Sequence, residues 1–161
     1  MKTPTVSEVV KAIEAAFEGV TRGNGITLHE AEAIDDGLSD AQRSVARLQD
    51  RDTRWQDVPN ELIERSCSSL CFVDPKGYHY YIPAFMRWAV RHYKDSNSAT
   101  VDTTIYGLSH VGEGHVALLT DEQRRAIALF LRHMSGIEAE QYVDAPYARN
   151  TLEQYWIRYT S

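Results

Sequence analysis

Apolar residues recur at helical spacing along most of this chain. Val6, Val9, Val10, Ile13 and Phe17 return at steps of three and four and predict a helix over 6–18 with one core-facing stripe. Thr5 and Glu8 are placed for a capping box at its start, and Gly19 with Gly23-Asn24-Gly25 ends it in a turn. Thr27 and Glu30 repeat the cap and predict a short helix to Asp36, stopped by Gly37. Ser39 and Gln42 open a third helix that runs to 48–50. Three such starts in succession leave little room for strands in the first third.

The next stretch, 50–59, reads as a charged connector around Trp55. Pro59 suits the first turn of a helix, with Asp57 as its cap and Leu62, Ile63, Ser66, Cys67 and Leu70 as its apolar face. Asp74-Pro75-Lys76-Gly77 suits a type I turn. Residues 78–82 then read as a short extended strap, and Pro83 as the first turn of a helix carrying Ala84, Phe85, Trp88, Ala89 and Tyr93. Residues 94–120 are the least regular: a short helix over 101–108, then a flexible glycine loop at 110–115. Thr120 and Gln123 form a fourth box, and Ile127, Phe130, Leu131 and Met134 carry a helix to Gly136. Leu152, Tyr155, Trp156 and Tyr159 fall on one face of a last helix.

The pattern predicts an all-α fold of six or seven helices, with a helical domain over 6–136 and a C-terminal extension over 137–161. Its core should draw on Val9, Ile13, Phe17, Leu62, Leu70, Phe85, Trp88, Phe130 and Leu131. The Leu152–Tyr159 stripe either packs on that body or pairs in trans, which makes homo-oligomerisation through the C-terminal helix an expectation.

Composition narrows the function classes. The 161 residues carry a net charge of −6, with 43% hydrophobic and 25% charged residues. That length suits one domain, and the acidic balance argues against nucleic acid or an anionic membrane as partner. No run of apolar residues is long enough to span a bilayer, and the first residues lack the apolar core of a signal peptide, so the expected location is the cytoplasm. Cys67 and Cys71 are read as reduced structural thiols, since two thiolates alone do not complete a zinc site.

Thr-Leu-His-Glu-Ala-Glu-Ala-Ile-Asp at 27–35, Arg-Trp-Gln-Asp-Val-Pro at 54–59, Tyr-Tyr-Ile-Pro-Ala-Phe-Met-Arg-Trp-Ala at 80–89 and Thr-Val-Asp-Thr-Thr-Ile-Tyr at 100–106 together resemble a bacterial domain-of-unknown-function family. The likeness extends over roughly 6–135. It implies a bacterial source and a small domain, and brings no activity and no catalytic residues.

Candidate chemistry starts on the second helix. At about 100° per residue, His29, Glu32 and Asp36 fall within about 60° of one another. A histidine with two carboxylates can hold a divalent metal if further ligands join, or act as a base with an orienting acid, with Asp57 as a further candidate. The bland alternative is a solvated acidic face, and the spacing matches neither the Glu-x-x-His of di-iron bundles nor the zinc-protease motif. Trp55 with Arg54 is a candidate contact site for a partner, set against a role anchoring the connector. Among the rings of 78–93, His79 and Tyr81 are the candidates for an uncovered side, and most of the others read as core. Gly107 and Gly112 lack the Lys-Ser/Thr of a phosphate loop, and no cofactor is expected. The sequence therefore supports a non-enzymatic interaction domain of immunity or adaptor type with an unidentified, basic protein partner. The alternative is a small metal-dependent or acid/base enzyme built on His29, Glu32 and Asp36.

Overall fold

Each capped segment forms a helix for the reason its sequence gives. The computed structural model describes residues 2–137, 140 and 142–161. Among them are nine α-helices and no strand: α1 Val6–Ala16, α2 Leu28–Asp35, α3 Asp40–Arg47, α4 Asn60–Arg65, α5 Pro75–His92, α6 Thr100–Tyr106, α7 Glu113–Ala117, α8 Asp121–Met134 and α9 Ala145–Thr151. Thr5, Ser39 and Thr120 make full capping boxes with Glu8, Gln42 and Gln123. Thr27 caps α2 by accepting the Glu30 N–H. The helix count exceeds six or seven partly because the glycine segment expected as a flexible loop holds α7. There Gly112 is extended and starts the turn, and His115 rests edge-on against the Tyr78 ring at 5.2 Å. Residues 138, 139 and 141 of the expected C-terminal extension lie outside the described residues.

The middle of the molecule is α5, buried along most of its length, with α1, α4, α6, α7 and α8 all packed on it. Its start corrects the expected turn, strap and helix. Asp74 Oδ1 accepts the Gly77 N–H at 2.9 Å as an N-cap and Pro75 takes the first helical position, so the letters that suit a type I turn open an unbroken helix instead. Pro83 then lies inside that helix, where it lacks the N–H that would reach the His79 carbonyl. Such a proline costs about 3 kcal/mol in an isolated helix. Here its ring is buried with those of Tyr80, Tyr81 and Phe85, and packing offsets the loss.

A second correction falls on 60–70. α4 stops at Arg65, because the Ser66 hydroxyl donates back to the Leu62 carbonyl, and a separate 3-10 turn spans Ser69–Cys71. Pro59 occupies the cap position of α4 with no side-chain cap, so Asp57 does not cap it and stands exposed. Cys67 is half-buried and Cys71 exposed, both as free thiols.

All nine expected core residues are buried. The C-terminal stripe packs on the body in part. Leu152 and Trp156, in a π-helical turn, join the same core, and the Trp156 Nε1–H donates to the Leu108 carbonyl at 2.9 Å. Tyr155 and Ile157 remain exposed. No helix among the described residues is long and apolar enough to cross a membrane. One close crossing fixes how the segment leading into α2 meets the start of α5. The backbones of Gly25 and Gly77 pass so near that a Cβ on Gly25 would sit 2.6 Å from the Gly77 nitrogen, and one on Gly77 would sit 2.5 Å from the Ile26 carbonyl oxygen.

Candidate functional site

α2 lies with Leu28 and Ala31 in the core, which leaves His29 on its flank. The chain returns past it after α3 and buries Asp50 there, with no solvent exposure of that carboxylate. Asp50 Oδ2 accepts the His29 backbone N–H at 3.1 Å, one of the first-turn amides that a helix cannot satisfy itself. Asp50 Oδ1 lies 2.8 Å from His29 Nδ1, and Arg65 Nη2 lies 2.8 Å from His29 Nε2. A guanidinium only donates. Nε2 is therefore the acceptor, Nδ1 carries the proton toward Asp50, and the imidazole is held as one neutral tautomer.

A buried polar network adjoins this pair. Arg22 Nη1 donates to Asp52 Oδ2 and to the Tyr81 hydroxyl, each at 2.9 Å, and the Tyr80 hydroxyl donates to the same Asp52 oxygen at 2.6 Å. The Arg22 guanidinium lies 5.0 Å from the Tyr80 ring centre. Burial pushes the Tyr80 and Tyr81 phenols well above the usual tyrosine range, and Asp52 adds to the effect on Tyr80. Burial works against charge on Arg22, but Tyr81 and Asp52 outweigh it and its pKa is raised.

His29, Asp50, Asp57, Glu61 and Arg65 border an open cleft of about 620 Å³. A histidine whose Nδ1–H is fixed by a buried carboxylate is the orienting half of a general-base arrangement. In this structure the Arg65 guanidinium covers the lone pair such a base would use.

The sequence candidates separate here. Glu32 and Asp36 are exposed and do not join His29, whereas Asp57 borders its cleft from the connector. Among the described residues no three His, Cys, Asp or Glu side chains are placed to hold a metal ion. Trp55 is buried, its Nε1–H donates to the Phe17 carbonyl at 2.9 Å, and Arg87 lies over its ring at 4.8 Å. Tyr81 is buried as well, so neither ring offers a face to a partner. Arg54 is exposed, and His79 is half-buried with Nε2 donating to Gln123 Oε1 at 2.9 Å.

Two features escaped the sequence. Asp50 and Asp52 read only as part of a charged connector, and nothing local marks Arg22 as a partner of Asp52 or Arg65 as a partner of His29. The second is α3, which buries no residue at all. Val45 and Leu48, one helical turn apart, are 66% and 73% exposed. The scarcity of apolar residues in Asp40–Arg47 was the available signal, since such a helix has no stripe to give a core.

No curated protein and no solved structure matches the chain. A family of unknown function, DUF6714, matches residues 5–160, including the C-terminal segment that packs on the core, and the chain belongs to that family.

Proposed function

We propose that this chain is a non-enzymatic protein-interaction domain of the bacterial cytoplasm, of immunity or adaptor type, and that its contact face is the outer side of α3. The observation that carries the reading is the exposure of Val45, on a helix with no buried residue, and of Leu48 at that helix's C-cap. Two large adjacent apolar side chains left in water make a natural anchor for a partner. The surrounding charge supports a basic partner. Arg43 donates to the Leu38 carbonyl and Arg47 to the Gly25 and Gly23 carbonyls, so both cations of α3 are turned onto backbone. Exposed Glu32, Asp36 and Asp40 on α2 and α3 supply a negative rim.

A comparison of wild type with the Val45→Asp/Leu48→Asp variant tests this. The wild type should retain a basic protein from host extract, less firmly as salt rises, and the folded variant should lose it. Identical captures by both proteins, or concentration-dependent self-association through this face, would overturn the reading.

A second reading, general acid/base chemistry in the cleft, has its own observation in the buried Asp50 that fixes the His29 tautomer. It expects turnover of small p-nitrophenyl esters or phosphates that His29→Gln removes. Equal background rates in both proteins would leave the Asp50–His29–Arg65 set as a structural clamp.

A further inference from the structure

α1 and α8 pack together along their length, yet their outer edges leave a groove of about 630 Å³. The cause is composition: Ala12, Ala15, Ala16 and Ala126 face it, and methyl groups cannot fill the space between two helices. The C-terminal Tyr159 and Thr160 wall one end. A second hollow of about 380 Å³ continues along α8 past Leu129 and Arg132, which line both. The volume lies within the ~300–1,000 Å³ of small-molecule sites, and the floor is apolar.

Charge in this groove runs against the rest of the acidic chain. Arg125 and Arg132 are seven residues apart on α8, about 10 Å along one face, and both line the groove. Several other arginines are paired with carboxylates: Arg22 with Asp52, Arg47 with Glu30, Arg87 with Glu14, and Arg124 with Asp121. Arg125 and Arg132 pair with no carboxylate among the described residues. Arg132 Nη2 is also shut off from water without a hydrogen-bond partner, a costly position for a guanidinium nitrogen. Lys2 borders the adjoining hollow. Of the acidic side chains present, Glu8 is committed to the Thr5 cap through bonds of 2.7 and 2.9 Å, which leaves Glu122 as the opposing side chain, with Ser161 also lining the groove.

We infer that this groove binds a small amphipathic anion, a monomeric carboxylate with an unbranched apolar tail. Its head would lie against the Arg125 and Arg132 guanidinium groups, with Arg132 turning its enclosed nitrogen out to meet it, and its tail would cover the alanine floor. The site is separate from α3 and from the His29 cleft, so it stands or falls apart from both functional readings.

Decanoate is the probe, titrated into the full chain below its micellar range by calorimetry and by amide-shift NMR. The expected result is saturable one-to-one binding with shifts on α1, α8 and 159–161. Arg132→Gln should weaken it at least tenfold, and 1-decanol, which keeps the tail but lacks the charge, should bind at least tenfold less tightly. Ala15→Trp fills the groove from an exposed position and should abolish binding with the helical circular dichroism unchanged, which covers the case in which Arg132→Gln does not fold. Absence of saturation, or binding indifferent to Ala15→Trp, overturns the inference. Co-sedimentation with phosphatidylglycerol vesicles that Ala15→Trp removes would also overturn it, by making the groove a membrane contact.

Discussion

The connector over 50–59 and the seam between α8 and the C-terminal segment both tie distant parts of the chain together, by opposite means. The connector is anchored by charge. Asp50 and Asp52 are sunk among His29, Arg22, Tyr80 and Tyr81, and each carboxylate oxygen in use has a specific donor. The seam is anchored by volume, with Phe130, Leu131, Leu152 and Trp156 in one apolar cluster and one indole hydrogen bond to the Leu108 carbonyl. The difference lies in how each fails. A buried ion pair that loses one member leaves an uncompensated charge, while an apolar seam loses stability in proportion to the volume removed.

The largest expected effect follows from that asymmetry. Asp52→Ala strips Arg22 of its carboxylate and the Tyr80 hydroxyl of its acceptor, and should cost about 3–5 kcal/mol in urea unfolding. Combining it with Arg22→Met should restore much of the loss, since a matched apolar pair replaces buried ions without great penalty. A cost under about 1 kcal/mol for Asp52→Ala would place the network effectively in solvent and erase the contrast.

Leu152→Ala tests the seam. Its side chain is almost fully buried, and truncation should cost about 2 kcal/mol, at the low end for a buried leucine because the segment lies at the edge of the body. A loss as large as that of Asp52→Ala would mean that the C-terminal segment nucleates the core and does not merely cover it.

Alkaline pH should act through the tyrosines of α5 and α6 and not through the apolar seam. Burial raises Tyr78, Tyr80 and Tyr81, and burial with the Asp144 carboxylate pushes Tyr106 up to about 12, while an unfolded tyrosine ionises near 10. Since the folded values are higher, this contribution is complete below pH 10 and disappears as pH climbs toward the folded values. Tyr78 alone makes the loss about 1 kcal/mol by pH 11. Melting temperatures should be level from neutrality to about pH 10 and then decline. A decline that begins near pH 8 would point to another group.

The same contrast explains what the sequence revealed. Helix starts were legible because a cap is a local event: Thr5 finds Glu8 three residues away whatever the rest of the chain does. Core residues were legible because burial repeats with helical period, and every one expected proved buried. The start of α5 was misread because Asp-Pro-x-Gly satisfies the rules for a turn and for a capped helix alike, and the packing around Pro83 decides between them. The His29 environment was half legible. Its place on the flank of α2 followed from period, but Asp50 and Arg65 arrive from other segments, and no local rule couples them. The exposure of Val45 and Leu48 was legible only in how few apolar residues surround them, because two apolar residues at a step of three look the same whether or not a core is there to receive them.

Asp74 and the Gly25–Gly77 crossing have a consequence for motion. One carboxylate oxygen, Asp74 Oδ1, accepts both the Ile26 N–H at 2.8 Å and the Gly77 N–H at 2.9 Å. The two backbones also lie so close there that neither glycine has room for a side chain. Unwinding the first turn of α5 and releasing the segment that leads into α2 are therefore a single event. In hydrogen exchange the amides of Ile26 and Gly77, far apart in sequence, should open together and show matching protection.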